Sequence, residues 1–254
     1  LPFSLTNSQK KAAFEIFDDL KNDYPMKRLL QGEVGSGKTV VASIAIYSAV
    51  QSGYQVALMA PTEVLCEQHF KSLNSFLGKS GIKQYLLTSS TKEREIIDRK
   101  IKEGEPGLYI GTHALIQEKI KFKNLGLAII DEQQRFGVDQ RKKLITNENT
   151  IPDQLVMTAT PIPRTTALSI YGDLDITTIN ELPPGRKKIE SHLFNGLESD
   201  NLKVFEKCKE HLDKKSQIFV VCPFIEESEN SDIQAAEVVF QEYTEKFTKY
   251  NVKL

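Results

Sequence analysis

Gly32-Glu33-Val34-Gly35-Ser36-Gly37-Lys38-Thr39 decides the fold. It follows the apolar run Arg28-Leu29-Leu30-Gln31 and opens a segment of helical period over residues 39–52. The pattern G-x-x-x-x-G-K-[ST] between a strand and a helix is a phosphate-binding loop. Its glycines let the backbone wrap an anion, and successive N–H groups point inward at the helix N-terminus. Lys38 is placed to reach the β- and γ-phosphates of a nucleotide, and the Thr39 hydroxyl to ligate Mg²⁺. A glycine-rich turn that binds nothing is the alternative, and the full motif in its required context weighs against it.

The same alternation runs outward from the loop. Apolar runs of strand length stand at 28–31, 55–60, 84–88, 107–111, 125–130 and 154–158, with helical patterns at 39–52, 63–79 and 91–103 between them. Near-continuous apolar runs read as strands buried on both faces, which is the signature of a parallel sheet. Repeated strand–helix alternation predicts a doubly wound α/β domain. Ahead of it, Thr6 or Asn7 can cap a helix with Ala12, Ala13, Ile16, Phe17 and Leu20 on one face.

Paired prolines, a glycine and a basic triplet at Pro183-Pro184-Gly185-Arg186-Lys187-Lys188 read as an exposed linker. The predicted organisation is an α/β domain over 1–182, a linker over 183–188 and a second α/β unit over 189–254. That second unit is predicted to hold strands at 189–194 and 217–222 and helices at 197–212 and 233–250. Two strand–helix units are too few for a whole α/β domain, so an unpaired sheet edge is expected there. The chain opens Leu1-Pro2-Phe3, without Met or a basic-then-apolar leader, which suggests an excised fragment without a signal peptide.

The run Leu127-Ala128-Ile129-Ile130-Asp131-Glu132 ends an apolar strand in two carboxylates, at the sheet edge where doubly wound folds bind ligands. Asp131 can hold the Mg²⁺ shell there while Glu132 polarises an attacking water. Small-molecule kinases need no such water-activating base, so the pair favours nucleotide hydrolysis. Bulk properties exclude other classes. Of 254 residues, 40% are hydrophobic and 26% charged, with a formal net charge of −1. This is an ordinary globular composition, and any nucleic-acid surface must be local. No apolar stretch approaches the ~18 residues of a membrane span. Cys66, Cys208 and Cys222 have no C-x-x-C spacing and read as reduced thiols, with neither metal site nor disulfide framework.

Asp131-Glu132-Gln133-Gln134, Thr158-Ala159-Thr160-Pro161 and the phosphate loop look like motifs II, III and I of superfamily-two helicases. The stretches QGEVGSGKT, MAPTE, GTHALIQ, RFGVDQR, TATPIPR, GDLD, LPPGR and VCPFIEESE narrow this further. Together they resemble the RecG family of bacterial ATP-dependent branched-DNA helicases, from Leu1 to the last predicted strand. The transcription-repair coupling factors share several of these words but typically carry Phe where Ser36 stands and lack GDLD and PPGR.

The resemblance implies a RecA-like first lobe, the truncated start of a second, and ATP with Mg²⁺ as cofactors. It also implies branched double-stranded DNA (stalled forks, Holliday junctions) as partner, a monomeric motor, and a cytoplasmic, nucleoid-associated location. Leu5-Thr6-x-x-Gln9 resembles the family's adenine-reading motif. Gln9 would pair with the base while Phe3 or Leu5 packs on its ring; the alternative is an exposed first-turn Gln9. By the same resemblance Thr62, Thr112 and His113 lie at loops that touch the DNA backbone, although His113 could instead pack on the sheet edge. Thr158 and Thr160 would link the ATP and DNA sites. Motif II of the family ends in His where this chain has Gln134; Gln keeps its hydrogen bonds but cannot become cationic.

His69, His192 and His211 read as ordinary surface or packing residues. Lys119, Lys121 and Lys123, like Arg186-Lys187-Lys188, could meet phosphates or simply be solvated. A non-catalytic nucleotide-gated module and a small-molecule kinase or signalling NTPase are the rival classes; the intact Glu132 argues against the first, and the Thr158-Ala159-Thr160 triplet with a second α/β segment against the second. The arginine needed for turnover belongs to a motif that follows these residues in helicases of this class, so the fragment alone is expected not to turn over.

Overall fold

Six of the seven strands in the sheet grow from the apolar runs read above. In the computed structural model, which describes residues 3–116, 120–132, 151–160, 174–185, 189–195, 198–222 and 236–254, they are β1 (Lys27–Gly32), β2 (Gln55–Met59), β3 (Gln84–Leu87), β4 (Gly107–Gly111), β5 (Leu125–Asp131) and β6 (Asp153–Thr158). The seventh, β7 (Asp175–Ile179), was not expected. The strand order is β3-β4-β2-β5-β6-β1-β7, and each pair is parallel. Alternate strand residues are buried on opposite faces. Val56, Leu58, Ile110 and Ile129 enter one apolar cluster, and Ala57, Met59, Tyr109 and Ile130 the other. A sheet covered on both faces needs strands without polar alternation, which is why the runs are nearly continuous.

Helices α1 (Asn7–Asp19), α2 (Lys38–Gln51) and α3 (Glu63–Leu77) supply the first cluster, and α4 (Arg94–Glu103) the second. Thr6 caps α1 in a reciprocal box with Gln9. Helix α4 starts three residues later than its period suggested. The Thr91 hydroxyl is instead spent on the turn before it, donating to the Leu86 carbonyl and accepting from the Thr88 amide.

The chain divides into two compact units, Leu1–Lys187 and Lys188–Leu254. Within the second lie α5 (Glu198–Asp213) and α6 (Ala236–Lys246), held by an aromatic cluster. Phe205, Tyr243 and Phe247 sit with ring centroids 5.1–5.8 Å apart. The strands expected at 189–194 and 217–222 do not form, and no strand occurs among the described residues of this unit. A strand exists only through its ladder, and a lone pair of strands is marginal at best. Their apolar residues are accordingly in solvent, with Leu193 at 93% and Val221 at 91% exposure. Among the described residues no helix is long and apolar enough to cross a membrane.

Candidate functional site

The sheet order brings the carboxyl ends of β5, β6 and β1 side by side, so residues far apart in sequence share one edge. Asp131 pairs in register with Met157, and Thr158 with Gln31, one residue before the glycine loop. The loop leaves β1 at Gly32 and turns through Gly35 and Gly37 at φ +79° and +93°, a left-handed backbone that glycine adopts without strain. Gly37 is the N-cap of α2 and provides no side-chain cap. The first amides of the helix are therefore turned toward the loop without a side-chain acceptor, the arrangement that receives an anion. Lys38 folds back over the loop, its Nζ donating to the Gly32 carbonyl at 2.7 Å and to that of Glu33 at 3.2 Å. Glu33, Val34 and Gly35 are exposed, Thr39 is half-buried, and Ser36 is buried with its Oγ unpartnered.

Gln9 lies beneath this loop, 2% exposed. Its Oε1 accepts from the Thr6 amide at 3.0 Å and its Nε2 donates to the Ser36 carbonyl at 2.7 Å. The reading of an exposed first-turn residue fails, because Gln9 fills the space beside Gly37 and braces the loop. Phe3 sets its ring edge-on against Phe76 of α3, centroids 6.0 Å apart.

The two carboxylates have different surroundings. Asp131 Oδ2 lies 2.7 Å from His69 Nε2, with both side chains nearly buried. Glu132 stands one residue past the strand in left-handed backbone, φ +50°. That conformation is costly for a non-glycine residue and is held by neighbours. Its amide donates to the Met157 carbonyl at 2.9 Å, and its Oε1 accepts from the Ala159 amide at 3.1 Å. Thr158 Oγ1 and Thr160 Oγ1 are 3.0 Å apart, so the two hydroxyls form a pair beside Glu132. Gln134 lies outside the described residues.

At the neighbouring ends of β2 and β4, the Thr62 hydroxyl caps α3 by accepting from the Leu65 amide. Thr112 is buried, and its hydroxyl accepts from Ala114 within the 3₁₀ turn His113–Ile116, so little of it faces outward. His113 is exposed, against the reading that it packs on the sheet edge. Glu63 accepts from the Ser89 amide at 2.6 Å, which holds its carboxyl below the usual range and ties α3 to the segment after β3. Lys123 lies against Gly104, at the sheet edge opposite the glycine loop.

Two groups escaped the sequence reading. One is the link from Glu63 to Ser89; the other is His69. A signal for His69 existed: with Cys66, Leu73 and Leu77 it makes the buried face of α3, where it is the single strongly polar side chain.

The sequence pattern of the DEAD/DEAH box helicases matches residues 6–168. The chain is 49% identical over its whole length to the ATP-dependent DNA helicase RecG of Aquifex aeolicus, covering 32% of that protein. It is 48% identical, again over its whole length, to that of Bacillus subtilis, covering 37%. The chain thus spans about a third of the length of these relatives. A solved structure of RecG bound to a three-way DNA junction matches 97% of this chain and 32% of that one, at TM-score 0.82 and 42% identity. The parallel sheet with flanking helices is the RecA-like helicase fold.

Proposed function

The chain belongs to the DEAD/DEAH box helicase family, and on that premise we propose that it is the ATP-binding part of a motor that remodels branched double-stranded DNA. The observation that carries this reading is the meeting of the glycine loop, Asp131-Glu132 and the Thr158–Thr160 pair on three adjacent strand ends. Residues 1–182 are then the first RecA-like lobe, 183–188 the linker and 189–254 the opening of the second lobe. The relatives' RecG identity and the three-way junction in the solved relative support the choice of DNA substrate. A monomeric motor working on chromosomal DNA in the cytoplasm completes the proposal.

Mg²⁺-ATP fits the residues present. The uncapped start of α2 and the buried, unpartnered Ser36 Oγ suit phosphate oxygens, and a hydroxyl with a carboxylate is the donor set Mg²⁺ takes. Bound there, the nucleotide with its cation would supply the phosphoryl chemistry. Lys38 would exchange its two carbonyl partners for phosphate oxygens, and Thr39 and Asp131 would hold the cation. Glu132 would orient and polarise the attacking water, its carboxyl steadied by the Ala159 amide. That bond makes the state of Glu132 felt at Thr158 and Thr160, and from there at the DNA side. Gln9 would present its remaining hydrogen-bonding capacity to adenine, with Phe3 at the ring. Thr62, Thr112 and His113 would meet the sugar–phosphate backbone, Thr112 by shaping the turn rather than through its hydroxyl. Gln134 would tune coupling rather than chemistry.

Calorimetry of the chain with ADP and Mg²⁺ tests the nucleotide site: micromolar binding is expected, and no binding would refute it. For the DNA reading, the complete protein should hydrolyse ATP faster with forked or three-way DNA than with linear duplex. Equal rates with both would sink the branched-DNA assignment.

A further inference from the structure

The motif reading gives Asp131 a role but does not say what holds it. The carboxylate stands at the last position of β5, where the ladder with β6 ends and the backbone turns into the left-handed conformation of Glu132. A short side chain at such a point has no neighbour on its own strand to fix its rotamer. The neighbour comes from α3. Cys66, His69, Leu73 and Leu77 recur at helical spacing on that helix's buried face, and three of the four are ordinary core residues. His69 breaks the apolar stripe, and its side chain reaches the end of β5, where its Nε2 is 2.7 Å from Asp131 Oδ2. Their side chains are 11% and 13% exposed, so little water competes for the contact. A carboxylate only accepts, so Nε2 carries the hydrogen and donates. No other described residue bonds the Asp131 carboxylate, and one oxygen is thereby committed to the protein while the other is not.

We propose that His69 is a positioning residue for Asp131, fixing the carboxylate so that Oδ1 is presented to the divalent cation that accompanies the nucleotide. The inference rests on the nucleotide-site reading above and adds a residue to it. Carboxylates that ligate metals are themselves held by hydrogen bonds, and loss of such a partner costs about 10–100-fold in metal affinity. The rival is a histidine kept only because the core around α3 needs its volume. The two differ in a measurable way. A positioning residue affects the cation and leaves the cation-independent part of nucleotide binding alone, whereas a packing residue affects both together.

The experiment uses the whole chain with ADP, titrated with Mg²⁺ at fixed nucleotide and compared with ADP affinity in EDTA. His69→Ala should raise the Mg²⁺ midpoint about tenfold and leave the EDTA affinity unchanged. His69→Gln, whose amide can donate at comparable reach, should return to within about threefold of wild type. An unchanged Mg²⁺ midpoint in His69→Ala overturns the proposal. So does a His69→Gln variant as impaired as the alanine one. Should His69→Ala lose ADP in both arms, His69→Leu, which fills the buried site without a donor, decides: a wild-type Mg²⁺ midpoint overturns the assignment and a raised one sustains it. A wild-type chain that binds no ADP at any Mg²⁺ concentration sinks the nucleotide-site reading itself, and this assignment with it.

Discussion

The two edges of the sheet are both polar, but they are built differently. At the amino edge the buried or half-buried charges of Arg28 and Glu105 are each answered several times over. Arg28, buried at the start of β1, donates to Asp19 at 2.5 Å and to Thr177 at 2.7 Å, with Glu15 at 3.5 Å. Thr177 in turn bonds Glu15, so one network ties α1, β1 and β7 together. Glu105 takes hydrogen bonds from Lys100, Lys83 and Tyr85, and these hold its carboxyl down at about 2. Gln55 spans Ile101 and Asn124, and Asp153 receives the Met26 amide. At the carboxyl edge, among the described residues, the Asp131 carboxylate has one partner, Ser36 Oγ has none, and Glu132 is held in strained backbone. Saturated pairing stabilises; partial pairing leaves valence for something that arrives later. Gln84, at the start of β3, is the exception, its amide buried with no partner, and nothing in the structure accounts for it.

Mutation at each edge should therefore read out in different quantities. The largest effect belongs to Arg28→Ala, which strands Asp19 and Glu15 half-buried without their cation. It should cost about 3–5 kcal/mol of stability in denaturant titration. A loss under about 1 kcal/mol would break the contrast. Lys38→Ala should do the reverse. Stability should stay within about 0.5 kcal/mol, while calorimetry shows ADP binding weakened at least about tenfold by loss of a charge-assisted contact.

Glu105→Gln is gentler, because its ion pairs are partly solvated: about 1 kcal/mol or less at neutral pH. The folded-state value of Glu105 is depressed, so its contribution is present above its ordinary range near 4.5 and is lost as pH falls toward about 2. Wild type and variant should thus converge in stability across that interval, and a gap that persists at pH 2 would show the effect is not ionic. The smallest changes pair Ser36 and Gln84, one unpartnered side chain from each edge. Ser36→Ala and Gln84→Leu should each hold or raise stability, by up to about 1 kcal/mol. Only the first should alter nucleotide affinity, and an equal effect from Gln84→Leu would erase the distinction between the edges.

Much of this was legible in the sequence where burial on both faces forces a continuous apolar run, as in β2, β4 and β5. Strand β7 was not, because Asp-Ile-Thr-Thr-Ile lies at a sheet margin and alternates apolar with polar residues instead of forming a continuous apolar run. Residues 217–222 show the opposite failure: the run has a strand's composition, yet a ladder needs a partner that composition cannot supply. In the site, the glycine loop and the paired acids were readable because spacing along the chain encodes them. His69 was not, since its meaning depends on which strand end its side chain reaches. Gln9 was read for the base it could meet, and its hold on the loop became visible only in three dimensions.

Strand β1 enters the sheet between β6 and β7, both of which lie more than a hundred residues further along the chain. On a ribosome adding ~5–20 residues per second, the glycine loop is therefore made some ten seconds before the strands that brace it. Until then β1 has no neighbour on either side, and contacts of such long range form slowly. Nascent chains of this protein should consequently gain the ability to hold nucleotide late and abruptly, once residue 179 has cleared the exit tunnel.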